Sequence, residues 1–459
     1  MDLPEVFRRL AEIGRQGLSE SYGAGLGRMR PLLARLGQPQ AAFPVVIVTG
    51  SKGKGSTATF LANLLQYSPK DGALPKIGLF TGPHLHTYRE RIRLNGFMIE
   101  AGEFVALFEE IYQTARQAPD LGFISRFELL TILALVYFAR QGVDLAVMEV
   151  GMGGIYDAVN IVENSPLAVF TPIELEHAAI LGPTLADIVR HKSGIMRPDA
   201  QAVSSRQTPD VAGWLQTAAQ TLNVDFHFAR KSWNFQPGTL KVALEEGRFA
   251  QSFTATGPDS QDYLIKTRLA GTFQVENVLD ALAAAALLQH QGLAGAPNPA
   301  ALLQAALPGR FELAGENPVV LLDAAHTPNA IRELVQTLAS LDVQPTWVLG
   351  FLKDKNIAEM LRLLPLENRP VFLTEVHSRR KADIQHVLDS FEQSPSSLTV
   401  APTLAEALHE ARKLAAKEPG GLVCLTGSLY LVAEARATLG LLDPATATEA
   451  HLIAEVEAL

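Results

Sequence analysis

The sequence predicts an α/β fold in two parts, and three stretches carry that prediction. In Val45–Gln66 a short apolar strand, a glycine-rich loop and a helix follow one another. Beyond residue 298, five strand-like runs alternate with helical patterns: Val319–Asp323, Trp347–Phe351, Val371–Glu375, Leu398–Ala401 and Leu422–Thr426. That alternation indicates a mostly parallel sheet with helices on both faces. Between them, residues 224–270 break into short alternating runs separated by Gly, Pro and Asp, the pattern of antiparallel hairpins. Gly292–Pro299, GLAGAPNP, is the best linker, so the expected domains are 1–297 and 298–459.

The first stretch predicts a phosphate site. Val45–Thr49 is a buried strand, and Gly50-Ser51-Lys52-Gly53-Lys54-Gly55-Ser56 leads into a helix opened by hydroxyl residues. Such a loop aims several backbone N–H groups and the helix dipole at one point, where an anion is stabilised. Lys54 adds a positive charge, and Ser56 or Thr57 offers a hydroxyl for Mg²⁺. The spacing G-x-x-G-K-G-S is a variant of the common phosphate loop. An ordinary glycine-rich turn is the bland alternative.

Composition narrows the rest. At 459 residues the chain is too long for one ordinary core. A net charge of −9 argues against nucleic-acid binding by bulk electrostatics, while leaving room for a local basic pocket. The single cysteine, Cys424, excludes an internal disulfide and fits a reducing compartment. No apolar run reaches the roughly 20 residues of a membrane helix. The N-terminus lacks the apolar stretch of a secretory signal. The expectation is a soluble, cytoplasmic protein without a membrane partner.

Taken in order, residues 1–43 read as two helices around a loop at Ser19–Gly27. Ile77–Thr81 is a short strand. Tyr88–Arg93 is a dense charge run that composition alone makes a solvated loop. Glu100–Ala118 is an amphipathic helix and Ser125–Arg140 a more buried one, with Glu128 near its start. Val143–Val150 is a buried strand with an acid, Glu149, near its C-terminal end. An acid there, beside a phosphate loop, commonly holds Mg²⁺ directly or through water, and otherwise caps the next turn. Gly151–Asp157 is glycine-dense, so its backbone packs close to a ligand or a strand. Ser165–Thr171 is a further strand, followed by Glu174, Glu176 and His177. A helix over Thr184–Ile195 contains His191 and Lys192. Gln274–Gln291 is an alanine-rich helix with Asn277, and Ala445–Leu459 reads as a loosely docked helix.

Together the motifs VTGSKGKGST, TGPHL…RERIRLNG, FELLT, EVGMGGIYDAVN, HAAILGPTLADIVRHKSGI, GTFQVEN, PGRFE, DAAHTPNA, GFLKDKN and TGSLYLV resemble folylpolyglutamate synthase and dihydrofolate synthase, in the Mur ligase superfamily. The resemblance runs from about residue 20 to residue 440. It implies a phosphate-loop ATPase domain followed by a Rossmann-like α/β domain, with the active site in the cleft between them. It also implies ATP as co-substrate, Mg²⁺ with K⁺ as a further candidate cation, a folate or dihydropteroate acceptor, L-glutamate, and a monomer. A carboxylate resists attack by an amine, so ATP first converts it to an acyl phosphate. Glutamate's amine then displaces phosphate.

On this resemblance Gly53, Lys54, Gly55 and Ser56 match the ATP phosphate loop, with Ser56 also a metal ligand. Glu149 and His177 match the magnesium ligands, Asn277 the adenine-side asparagine, Arg310 the phosphate-contacting arginine, and Asp323 the acid near the ribose or γ-phosphate. His326 lies in the same motif. Lys192 matches a lysine that is carbamylated to help hold a second metal. On spacing alone it is a lysine at a helix C-terminus, facing the dipole. Gly25–Met29, Ser125, Arg126, Phe127, Glu128, Tyr156, Asp157 and Ala158 match segments lining the pterin pocket, where Asp157 suits the pterin N–H groups. The chain departs from the family at Gly82, where a metal-ligating serine is usual and Thr81 or water would substitute. It departs also at Glu176, Phe273 and Ala324. The expected catalytic set is Lys54, His177, Lys192, Arg310 and Asp323. Competing readings are dihydrofolate synthase activity, a Mur-type ligase with another acid acceptor, and, in a different class, a phosphate-loop switch or kinase.

Overall fold

The computed structural model describes residues 1–15, 23, 25–118, 122–245, 248–316 and 318–458. Its first sheet has eight strands: β1 (Val45–Thr49), β2 (Ile77–Phe80), β3 (Ile92–Leu94), β4 (Phe97–Met98), β5 (Leu145–Glu149), β6 (Leu167–Phe170), β7 (Gln201–Ser204) and β8 (Asp225–Phe228). They lie in the order β4-β3-β2-β5-β1-β6-β7-β8. From β2 to β8 every pairing is parallel, and β3 and β4 add an antiparallel edge.

Alternate residues of the central strands enter two different cores. Val45 and Ile47 face one, with the helix Arg126–Gln141; Val46 and Val48 face the other. The second core is filled by the helices Lys54–Gln66 and Thr272–His290. Both helices are apolar nearly all round because each is covered on most sides. Each fully buried Leu or Phe there contributes roughly 1.5–3 kcal/mol.

A second sheet is antiparallel: β9 (Asn234–Phe235), β10 (Lys241–Glu245), β11 (Arg248–Thr256) and β12 (Asp262–Thr267). The third holds β13 (Glu312–Glu316), β14 (Val319–Leu322), β15 (Thr346–Leu349), β16 (Pro370–Leu373), β17 (Ser397–Val400) and β18 (Leu422–Thr426), in the order β13-β14-β18-β15-β16-β17. All but β13 run parallel.

Four expectations need correction. The run at 225–228 is no hairpin: β8 extends the parallel sheet, because an edge strand shows the same alternation. The charged run is not simply a solvated loop. Thr87 and Glu90 form a capping box over the turn Tyr88–Arg91, and β3 begins at Ile92. The linker Gly292–Pro299 is packed, since a Cβ on Gly295 would come within 2.0 Å of the Pro69 carbonyl oxygen. The C-terminal helix, Pro444–Ala458, is firmly docked against the helix Leu3–Arg15, with Ile453 in the first core. The loop expected around Ser19–Gly27 lies largely outside the described residues. Among the described residues no helix is long and apolar enough to cross a membrane.

Candidate active site

The carboxyl ends of β1, β2, β5 and β6 converge on the glycine-rich loop, the usual place for a ligand in an open parallel sheet. Two glycines there are obligatory. Gly50 has φ 146°, and a Cβ on it would meet Thr171 Oγ1 at 1.9 Å. Gly53 has φ 81°, and its Cβ would meet Asn277 Oδ1 at 2.2 Å. The helix that follows starts at Lys54.

Lys54 folds back over the loop and donates to the carbonyl of Gly50 at 2.9 Å. Its charge acts on Glu149, Asp157, Glu176 and Lys192, which places it among all four. Glu149 ends β5, is 7% exposed, and accepts the Gly82 N–H at 2.9 Å. Burial pushes its carboxyl above the ordinary range, against the pull of Lys54, the Gly82 N–H, Arg91 and Arg310. The neighbouring Gly55 lacks a Cβ that would stand 3.3 Å from Glu149 Oε2. Ser56, buried one residue on, receives Gln274 Nε2 at 3.4 Å.

Lys192 is 1% exposed and donates to the Gly50 carbonyl at 2.8 Å and to Glu176 Oε1 at 2.7 Å. Burial pushes its ammonium down to about 8, although Glu176 pulls the other way. The Glu176 carboxyl is held below its ordinary range: burial raises it, but Lys192 and Lys54 together outweigh that. His177 is half exposed, at φ 49°, with Nε2 4.0 Å from Glu176 Oε2. His177 therefore stands beside Glu176, which also pairs with Lys192.

The third sheet contributes from its own carboxyl end. Asp323 accepts from the N–H groups of Phe311 at 2.8 Å and Ala325 at 2.9 Å. Burial raises its carboxyl, and Arg310 opposes the rise. His326 holds its Nδ1 2.8 Å from the Ala324 carbonyl oxygen, and burial lowers its pKa. Asn277 stands against the loop: it accepts from Thr57 Oγ1 at 3.4 Å and donates to Gln274 Oε1 at 2.8 Å.

The segments expected to line the pterin pocket gather around the start of the helix Arg126–Gln141. Ser125 and Glu128 form its capping box. Glu128 also accepts Arg28 Nη2 at 3.0 Å and closes over Gly25, where a Cβ would lie 2.2 Å from its Oε1. Arg126 donates to the Tyr88 hydroxyl at 2.9 Å, and the Phe127 ring fills the space over Gly151. Tyr156 is exposed, while Ala158 is buried.

Asp157 sits in the loop before the turn Ala158–Ile161. It is 4% exposed, and its oxygens accept from the N–H groups of Met152 and Val159, both at 3.0 Å. These bonds tie the carboxylate to the fold of its own loop. Burial pushes its pKa up to about 6 despite these bonds. With the folded pKa raised, its contribution to stability is full below the ordinary carboxylate range and is lost as pH rises through about 6. Relative to Asp157→Asn, the natural chain should lose about 3 kcal/mol of stability between roughly pH 4 and pH 7. Thermal unfolding of both across that range checks this.

Sequence reasoning missed two participants. Arg91 places its guanidinium beside Gly82, where a Cβ would meet Nη1 at 2.6 Å, so the expected serine's space is taken by this cation. Glu174 pairs with Lys52 at 2.7 Å and accepts Asn329 Nδ2, from the third-sheet side, at 3.1 Å. The only sequence signal was their position inside motifs, since neither shows periodicity.

Comparisons with known proteins give the family. Residues 48–285 match the model of the Mur ligase middle domain, and residues 309–429 that of the Mur ligase glutamate ligase domain. A dihydrofolate synthase/folylpolyglutamate synthase of Bacillus subtilis is 31% identical over 426 residues, 90% of this chain and 95% of the relative. The chain belongs to the folylpolyglutamate/dihydrofolate synthase family of Mur ligases. A probable bifunctional folylpolyglutamate synthase/dihydropteroate synthase of Halobacterium salinarum is 34% identical over 88% of this chain, which spans about half, 48%, of that relative. A family member of known structure, the Mycobacterium tuberculosis folylpolyglutamate synthase complexed with ADP and AMPPCP, superposes with a TM-score of 0.80 at 29% identity. The match covers 96% of this chain and 100% of that one.

Proposed function

We propose that the chain joins L-glutamate to a folate carboxylate, with ATP cleaved to ADP and phosphate through an acyl phosphate. The observation that carries this reading is the convergence on buried Glu149 of Lys54, Arg91 and Arg310, the last from the loop before β13. A ligase of this type must bring anionic ATP to an anionic carboxylate, and fixed cations offset that repulsion. The acceptor carboxylate oxygen takes the γ-phosphoryl group and ADP departs. Glutamate's amine attacks the activated carbonyl carbon, loses a proton, and phosphate leaves.

In this reading the loop N–H groups of Gly53 and Gly55 and the side chain of Lys54 hold the phosphates. Arg310 steadies the moving phosphoryl group, and Asp323 and His326 approach the nucleotide from the other sheet. Asn277 shapes the loop from behind. Among the described residues no group of three or more His, Cys, Asp or Glu side chains is placed to hold a metal. The donors nonetheless suit Mg²⁺, which takes one or two carboxylates and completes its shell with phosphate and water. Glu149 and Ser56 would supply hard oxygen donors, and His177 a nitrogen. Bound Mg²⁺ would neutralise charge on the phosphates. A carbamate on Lys192 would face Glu176 and so call for a cation between them.

Domains 1–297 and 298–459, a monomeric state and a cytoplasmic setting complete the proposal. Free, buried Cys424 supports the last. The acceptor is a tetrahydrofolate, a dihydropteroate or both, as the double name of the Bacillus subtilis relative suggests. Glutamate-dependent release of ADP with each acceptor tests the reading.

A further inference from the structure

The segment Gly82–Arg91 brings the Gly82 N–H and the Arg91 charge to Glu149. It is organised from within by Glu90, which accepts the N–H groups of Leu85, His86 and Thr87 at 2.9, 2.7 and 2.9 Å. It is also gripped by two residues more than 340 positions away. Glu449, on the C-terminal helix, has a side chain 4% exposed. It accepts Thr87 Oγ1 at 2.6 Å, Arg89 Nε at 3.0 Å and Arg89 Nη2 at 2.7 Å. Arg89 is fixed further by its bond to the Ile99 carbonyl at 2.7 Å.

The second grip is Arg436, on the helix Leu429–Thr438. Its Nε donates to His86 Nε2 at 3.3 Å, and its Nη1 to both oxygens of Glu312 at 2.8 and 3.0 Å. Glu312 in turn accepts the N–H of Gly309 at 2.7 Å, one residue before Arg310. Gly309 is packed so closely that a Cβ would lie 2.8 Å from Val432 and 3.3 Å from Leu85. One arginine therefore joins the loop carrying Arg91 to the loop carrying Arg310.

Stability alone is a poor reason for these buried pairs, because well-packed apolar residues often serve it as well. A two-pronged arginine–carboxylate contact does fix position. We propose that Glu449 and Arg436 are positioning residues for the reaction, holding the two loops so that Arg91 and Arg310 face Glu149 together. The inference rests on the ligase reading given above and adds to it a role for the C-terminal helix.

The test uses Glu449→Gln, Thr87→Val and Arg436→Lys in the full chain. In Glu449→Gln, hydrogen exchange at the amides of Leu85, His86 and Thr87 should rise about tenfold, with the amides of β1 and β5 unchanged. Its kcat should fall about tenfold while KM for ATP stays within about twofold. Glu449→Asp should recover part of the loss. Thr87→Val removes the bond to Glu449 together with the cap on the Arg89 N–H and keeps the ion pair, so it gives the same pattern even where Glu449→Gln fails to fold. Arg436→Lys keeps the charge but cannot reach His86 and Glu312 together as the guanidinium does, with the same drop in kcat. Unchanged kcat beside faster exchange at residues 85–87, or faster exchange across the whole chain, overturns the proposal. If the natural chain shows no glutamate-dependent turnover, the ligase reading fails by itself. The coupling is then read from ATP-analogue protection of residues 85–87: lost in Glu449→Gln it stands, retained in full it falls.

Discussion

Lys192→Ala should lower turnover about a thousandfold or more, and short carboxylates such as formate or acetate should restore part of it. The amine is buried, its pKa is brought down to about 8, and it lies against the Gly50 carbonyl and Glu176. A lowered pKa raises the fraction of neutral amine, the form whose nitrogen bonds the carbon of CO₂ and releases one proton. A carbamate made this way is an anion beside the phosphate loop, and a diffusible carboxylate can take its place. The competing role is simpler: the ammonium ties the loop to Glu176. In that case carboxylates would restore nothing, and small primary amines would do better. Steady-state rates of Lys192→Ala with each additive separate the two. Rescue by amines alone would remove the carbamate from the account.

Glu149→Gln should lose about a hundred- to a thousandfold in kcat while melting at the same temperature or higher. Glutamine keeps the shape and one oxygen for the Gly82 N–H, and gives up only the charge. That charge is costly in the free protein, because burial raises the carboxyl's pKa despite Lys54, Arg91 and Arg310 nearby. A group with a raised folded pKa favours the fold below its ordinary pKa and opposes it once ionised at higher pH. An acid kept under such a penalty is spent on function rather than stability. Paired kcat and thermal-unfolding measurements check this. Retained activity, or activity lost only in step with melting temperature, would place the metal elsewhere.

The phosphate loop and the five strands from Val319 to Thr426 were legible because their signals are local and continuous. The apolar run of β1, the glycines and the buried helix follow in order within one stretch. The strand bounds moved by at most two residues, and Leu422–Thr426 not at all. Lys54 and Glu149 were legible as candidates because each sits at the end of a recognisable element, and Lys192 only through the family motif around it.

What remained hidden depends on pairing across the chain. Only the fold reveals that Asp157 accepts the N–H groups of Met152 and Val159. Residues 225–228 alternate as a hairpin strand would, and only their neighbour β7 shows them parallel. Arg91 lay inside a run that composition makes solvated, and its role depends on the bare Gly82 opposite. Arg89 and Glu449 are separated by 360 positions, and no periodicity links them. The tail helix therefore read as loose, although it holds a buried charge pair.

The account stands most directly on one assay: ADP release by the purified chain supplied with ATP, Mg²⁺ and an acceptor, with and without L-glutamate. It predicts release that needs both glutamate and a pteridine acid. Dependence on tetrahydrofolate alone would indicate a polyglutamylating enzyme, and activity with dihydropteroate as well a bifunctional one. Steady ADP release that ignores both glutamate and acceptor would contradict the ligase account.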